Sequence, residues 1–451
     1  MLELLLLAGV AGLGLALLAA ALYRFPLLGV VAVLGVLLWE AAAVSFSGGN
    51  LGPLTAYPQD AVFAALAAAG AARLLPSGLL VRGGFTLLQL GWLLFGALVF
   101  LSVARGVAEY GPHLAGVELR GYFYLFSAVL YFMTFPVDGH HLRRAITLWM
   151  AAAGALVLLA GFRWALLGAG LASGAEWAEL ALGSGITNLR VLDAAQALFL
   201  AQAFVIGLYL RLLKGSSGTW WYLTVALLPA VAVLQHRTAW LALIVAVAVL
   251  LVREGKLRGR LLSTMAGVGV AGALAVALLF GGSEGEVARS LETSTSSAFE
   301  TQESTVGWRL ESWQVLLTGG YLSSATEYVL GKPFGAGYER FMSVGEVDIS
   351  PHNFYVETFL RTGGIGLAAL LFFYAVSVLR LRESRVFGRG EDVYPCLMYV
   401  LLLTQLVFFV SYAPSYEQGV LLGIAASLVT APLRRRETGR VRTGELSRRY
   451  A

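Results

Sequence analysis

The chain alternates long apolar runs with short polar breaks, and one break is far longer than the others. A helix needs about 20 apolar residues to cross a bilayer. Leu2–Leu22, Phe25–Phe46, Phe85–Val103, Gly121–Pro136, Ala145–Phe162, Asp193–Leu212, Leu261–Phe280, Asn353–Val378, Val393–Tyr412 and Val420–Thr430 each read as a membrane-spanning helix. Leu2–Leu22 lacks the basic start and cleavage site of a signal peptide and is read as a span. Ala61–Leu75 is shorter and predicts a tilted or buried helix, and Ala104–Arg120 predicts a polar loop. Trp220–Val252 is too long for one crossing: as a single helix it would reach about 50 Å, against a hydrocarbon core of about 30 Å. Gln235-His236-Arg237 interrupts it, so the pattern predicts two crossings joined by a tight turn. The fold class expected is an all-α polytopic membrane protein with about 12 or 13 transmembrane helices.

The long break runs from Ser304 to Gly366. Within it Trp308, Trp313, Leu316 and Leu317 recur at helical spacing, predicting an amphipathic helix over Thr305–Leu317 that rests on the membrane surface with Arg309 and Glu311 on its polar side. Gly335 and Gly337 in KPFGAGYERF predict a tight turn, whose backbone amides are able to meet an anion. Pro351 and Asn353 predict a restricted entry and an N-cap for the next span. LETSTSSAFETQEST reads as a flexible segment. Four regions are expected: transmembrane helices over 1–280, a long external loop over 281–352, further transmembrane helices over 353–432, and a basic tail over 433–451.

Composition agrees with a bilayer. The 451 residues are 58% hydrophobic and 13% charged, half the charge of a soluble domain, and the mean hydropathy is +0.76. The single cysteine, Cys396, excludes a disulfide framework and a thiolate metal cage. Charge is unevenly placed: Leu433–Ala451 holds seven arginines and two glutamates, whereas Gly281–Pro351 holds ten acidic and four basic residues. Basic segments stay cytoplasmic, which puts the tail inside and both the long loop and the Arg237 turn outside. The same asymmetry explains the net charge without nucleic acid as a partner.

Several polar residues on that outer face have chemistry to offer. Arg237 stands at a membrane edge where charge is costly without a partner or ligand, and His236 and Gln235 make it part of a polar cluster. Arg309 is held at headgroup level by its helix. His352 stands at the mouth of a span, where imidazole can act as a base near neutral pH. Arg120 and Arg340 read as helpers with Asn353 and His236, and Arg105, Arg190, Tyr412 and Glu417 as unranked outward groups. His140 and His141 fall on the inner side. No outer D-x-D, no H-E-x-x-H and no G-x-x-x-x-G-K-[ST] occurs, so neither a metal-dependent sugar transferase nor an ATP-driven pump is expected.

These elements in this order, R-T-A-W-L, then W-R-L-x-S-W, then G-x-P-F-G-x-G-Y, then H-N-F-Y-V-x-x-x-L-x-x-G-x-x-G-L, resemble the bacterial O-antigen ligase and O-antigen polymerase superfamily over about Ala230 to Leu379. The H-N-F-Y block with Gly363, Gly364 and Gly366 is the most specific part. The resemblance implies a GT-C-like membrane architecture in the bacterial inner membrane. It implies an enzyme of lipopolysaccharide or cell-envelope assembly that takes a glycan from undecaprenyl pyrophosphate on the periplasmic side, with no metal and no cofactor. Arg237 and Arg309 match the arginines that hold the pyrophosphate, and His352 matches the proposed base. The partners implied are the lipid-linked glycan donor, a lipid or glycan acceptor and the surrounding membrane lipids. Ligation to lipid A–core leads as the expected reaction, with polymerisation onto a second lipid-linked repeat as the alternative. A transporter or flippase is the reading from another class.

Overall fold

The computed structural model describes residues 2–42, 49–51, 54–74, 86–168, 190–214, 219–253, 258–280, 305–343, 345–383 and 393–430. The flexible reading of LETSTSSAFETQEST and the basic tail lie outside the described residues, apart from Thr305. The protein is an all-α polytopic membrane protein. Fourteen helices and two short hairpins are described: α1 Leu2–Arg24, α2 Pro26–Ala42, β1 Gly49–Leu51, β2 Leu54–Ala56, α3 Pro58–Leu74, α4 Leu87–Phe132, α5 Gly139–Gly168, α6 Ala194–Lys214, α7 Thr219–Val233, α8 Arg237–Arg253, α9 Arg258–Phe280, α10 Thr305–Thr318, α11 Ala325–Leu330, β3 Arg340–Met342, β4 Gly345–Val347, α12 Phe354–Arg382, α13 Val393–Phe408 and α14 over 416–430. Each hairpin is an antiparallel pair, Asn50 opposite Thr55 and Phe341 opposite Glu346.

Among the described residues, four helices are long and apolar enough to cross a membrane: Leu87–Phe132, Gly139–Leu166, Ala194–Leu212 and Phe354–Arg382. Gly12–Arg24, Pro26–Ala42, Trp220–Val233 and Val393–Phe408 are shorter apolar helices. The apolar window of α6 is 83% buried, against 39% for the other three long helices, so α6 is the core helix and the others turn a face outward. Its start is a reciprocal cap: Gln196 N–H donates to Asp193 at 2.7 Å and Asp193 N–H to the Gln196 side chain at 3.1 Å. Buried amides tie it to its neighbours. Gln202 donates to Thr404 and Gln418, the Gln405 side chain donates to the Gln418 carbonyl, and Tyr374 donates to Gln405. Such bonds join helices where lipid provides no hydrophobic drive between them.

The polar loop expected over Ala104–Arg120 is instead helical on both sides of a break at Gly111, as the end of one arm of α4 and the start of the other. The helix doubles back at Gly111, whose φ of 85° only glycine takes freely, with Pro112 opening the second arm. Trp92 stacks on Phe126 at 5.5 Å, and a Cβ on Gly96 would stand 2.3 Å from the same ring, so the arms are antiparallel and tightly packed. Alanine, valine, leucine and glutamate carry the polar stretch as helix; both flanking spans survive as the two arms.

The break in Trp220–Val252 falls where the polar triplet predicts it. α7 ends at Val233, α8 starts at Arg237, and the Trp240 indole clips the two together by donating to the Val231 carbonyl at 2.9 Å. In the long polar stretch, α10 covers the predicted helix. Its packing differs from the expectation: Ser312 and Leu316 are buried against the protein, whereas Val306 and Leu310 are exposed. A small second core of Leu316, Leu322, Tyr338 and Leu360 lies beneath this stretch. α12 is kinked at Gly363 with φ 66°, and a Cβ there would fall 2.1 Å from the Val329 carbonyl oxygen; only glycine lets α11 lie this close.

Candidate functional site

Three separated parts of the chain meet at one end of the bundle: the α7–α8 turn, α10, and the 409–412 turn beside the start of α12. Asn353 caps α12, its side chain accepting from Tyr355 N–H and Val356 N–H, as the pattern predicts. The Phe354 N–H donates to the carbonyls of Phe409 at 2.9 Å and Tyr412 at 3.2 Å. Those two bonds fix Tyr412 against the segment that carries His352. The Arg309 guanidinium lies over the Tyr412 ring at 5.2 Å, a cation–π contact. Arg237, at the first position of α8, lies within electrostatic reach of Arg190, Tyr412 and Arg309. Tyr412 therefore links the two predicted arginines to the histidine.

Two backbone details mark the same place. Among the described residues only Gln235 (φ 55°) and His352 (φ 50°) are non-glycine residues with positive φ. One stands two residues before Arg237, and the other is the predicted base. A left-handed conformation costs a non-glycine residue roughly 1–2 kcal/mol, and such strain collects where structure is held for use. His352 is half-buried; its N–H donates to Ser350 Oγ at 3.4 Å, and its ring stands 6.4 Å from that of Trp308. Trp308 neighbours Arg309 in α10, so the helix presents an aromatic to the histidine and a cation to Tyr412.

The further predicted residues divide. Arg340 is buried, donates to the carbonyls of Tyr338 and Ile349 at 2.7 and 2.8 Å, and lies 5.6 Å from the Trp308 ring; it braces the loop beside His352. His236 is buried with Nε2 2.9 Å from the Leu192 carbonyl, which anchors the Arg237 turn to the segment before α6. On that segment Arg190 donates to the Gln235 carbonyl at 3.4 Å. Arg120 turns to Asp60, at 3.4 Å, and lies 4.3 Å from the Tyr57 ring. His113 is exposed at the bend of α4. His141, 2.7 Å from Asp138, opens α5.

The glycine turn carries a correction. Gly335 and Gly337 take φ of 94° and 66°, and their amides do meet an anion, but it is Glu118: both N–H groups donate to its carboxylate at 3.0 Å. Arg361 completes the fastening. Its Nε lies 2.7 Å from Glu118, it donates to the Gly337 carbonyl at 2.6 Å and to the Tyr321 hydroxyl at 2.9 Å, and it stands 4.1 Å from the Tyr338 ring. The turn is thus held by the α4 bend on one side and α12 on the other. Sequence reading passed over this pair, although an arginine inside the span Asn353–Val378 is a signal in itself.

Residues 222–371 match the family model described as O-antigen ligase. That stretch starts in α7, ends in α12, and contains Arg237, Arg309, Arg340 and His352, so the resemblance drawn from the motifs holds over it. The match covers about a third of the 451 residues, and the apolar helices on either side of it suit a multi-pass membrane protein. No curated protein matches the chain.

Proposed function

We propose that this protein is a metal-independent, inverting glycan transferase that moves a glycan from undecaprenyl pyrophosphate to an acceptor hydroxyl on the outer face of the inner membrane, as an O-antigen ligase acting on lipid A–core or a related surface acceptor. The observation that carries the reading is the Arg309 guanidinium over the Tyr412 ring, with Arg237 within electrostatic reach of both and of Arg190, and Tyr412 tied to the segment of His352. Like charges repel, and a group of guanidiniums at a membrane edge becomes favourable when an anion lies among them. Pyrophosphate suits them: it is multiply charged, its lipid keeps it at headgroup level, and the planar fork of arginine matches phosphate oxygens two at a time.

The chemistry follows from charge flow. As the bond from the anomeric carbon to the pyrophosphate oxygen breaks, negative charge collects on the leaving group, and Arg237 and Arg309 neutralise it. His352 takes the proton of the acceptor hydroxyl as that oxygen attacks the anomeric carbon from the opposite face, which inverts the configuration. Trp308 and Arg340 keep the histidine's surroundings in place. Removing one arginine should cost on the order of 3 kcal/mol, roughly a hundredfold in rate.

The test is transfer in detergent with a single lipid-linked repeat as donor. Arg237→Ala, Arg309→Ala and His352→Ala should each abolish transfer while leaving membrane insertion and thermal unfolding unchanged. Near-normal turnover by His352→Ala removes the base assignment, and full activity of both arginine variants removes the pyrophosphate clamp. The product identifies the acceptor: sugar on a different lipid means ligation, and a doubled repeat on the same carrier means polymerisation. Activity that needs sealed vesicles would point to transport.

A further inference from the structure

At the end of the bundle opposite Arg237, a cavity of about 230 Å³ opens among α5, α6, α7 and the start of α13. Its position follows from helix direction. α6 starts at the site end beside Asp193 and reaches Arg211 seventeen residues later, about 25 Å along the axis. α7 starts at the cavity with Trp220 and Trp221 and ends at the turn that carries Arg237. The cavity lies in the half of the protein that the basic segments assign to the cytoplasmic leaflet.

Its lining combines two cations with an aromatic wall. Arg143 and Arg211 come from neighbouring helices, Trp220, Trp221 and Tyr394 form the wall, and Thr147 adds a hydroxyl. The Arg211 guanidinium stands 5.3 Å from the Trp221 ring, which holds the charge at the cavity instead of out in water. A narrow crease of about 20 Å³ continues from it, sharing Ile146 and Tyr394 and lined further in by Val30, Ile206, Met398 and Leu421. Trp149 also lines the crease, and its buried indole N–H has no hydrogen-bond partner among the described residues. The whole is a polar, positively charged mouth at headgroup depth followed by a thin apolar groove.

We propose that this cavity binds one anionic phospholipid, with its phosphate between Arg143 and Arg211 and its glycerol against the Trp220, Trp221 and Tyr394 wall. Arginines placed only to orient the chain in the membrane need no enclosed volume between them. Here the volume equals several waters at about 30 Å³ each, enough for a phosphate with its glycerol. Basic pockets between membrane helices on the cytoplasmic side suit anionic lipid headgroups. The aromatic and aliphatic lining around the two arginines favours a lipid over free phosphate, and the paired arginines favour an anionic lipid over a zwitterionic one.

The experiment uses the full-length protein, purified in detergent, stripped of lipid and mixed with phosphatidylglycerol, phosphatidylcholine of the same acyl chains, or inorganic phosphate. Thermal unfolding and the lipid retained in native mass spectra are read together. Phosphatidylglycerol should raise Tm by about 3 °C or more, and the other two should not. Arg143→Gln with Arg211→Gln should lower retained phosphatidylglycerol at least about tenfold. Thr147→Trp, which fills the cavity and leaves both charges, should do the same. Arg258→Gln with Arg260→Gln, exposed arginines at the same end of the bundle, should leave retention unchanged. Equal effects of phosphatidylcholine or of free phosphate overturn the proposal, as do wild-type retention by either cavity variant or an equal loss in the Arg258 and Arg260 control. These readouts do not depend on glycan transfer, so failure here and failure of the transferase reading are separate results.

Discussion

Arg361 and Arg309 lie in the same third of the chain and meet very different surroundings. Arg361 is fully buried, and its guanidinium is answered from all sides by Glu118, the Gly337 carbonyl, the Tyr321 hydroxyl and the Tyr338 ring. Arg309 is half-buried over a tyrosine, in a group with two more arginines. One arginine brings its anion with it and is part of the scaffold. The other joins a concentration of positive charge that an incoming anion would relieve. The glycine turn sharpens the contrast, because its two free-looking amides are spent on Glu118. The first region thus spends its polar groups on the fold, and the second is where the proposed phosphate would lie.

The comparison breaks first if Arg361 proves dispensable. Arg361→Ala empties a fully buried guanidinium site and leaves the partly exposed Glu118 carboxylate to the two glycine amides, and losing one partner of a buried pair costs up to about 3–5 kcal/mol. Thermal unfolding in detergent should move down by many degrees, and transfer should fall with the folded fraction. Arg309→Ala should do the reverse, losing transfer at an unchanged Tm. Equal stability losses in the two variants would mean that both arginines are scaffold. A smaller effect is expected in the turn itself. Gly335→Ala imposes a side chain on φ 94° and places its Cβ 3.0 Å from the Ala115 nitrogen. The expected loss is roughly 1–2 kcal/mol, read by the same unfolding assay.

Sequence pattern carried the spans, the Gln235–Arg237 turn, the α10 helix and the Asn353 cap, because each depends on local periodicity or on a few adjacent residues. It placed Arg237, Arg309 and His352 on one face through charge asymmetry alone. It failed where pairing is distant. Glu118 and Arg361 are 243 residues apart, and with Ala104–Arg120 read as a loop nothing drew Glu118 towards the bundle. The α4 hairpin was missed for a related reason: Ala104–Arg120 mixes charges with Gly106, Gly111, Pro112 and Gly116, which reads as loop, whereas packing makes all but the Gly111 bend helical. Tyr412 was visible only as an outward polar residue, since its importance lies in touching parts of the site that are far apart in sequence.

That role makes Tyr412 the finest test of the contrast. If its ring positions Arg309, the aromatic face matters and the hydroxyl does not. Tyr412→Phe keeps the ring and should leave transfer within about threefold of wild type. Tyr412→Leu removes the cation–π contact, worth about 0.5–2 kcal/mol, and should raise the KM for the lipid-linked donor by a few-fold to about thirtyfold with little change in Tm. The backbone carbonyl that accepts from Phe354 N–H is present in both variants, so His352 should keep its place. A Phe variant as impaired as the Leu variant would show that the phenol itself touches the pyrophosphate. The arginine cluster would then have a neutral hydroxyl at its centre, as Arg361 has the Tyr321 hydroxyl that accepts from it.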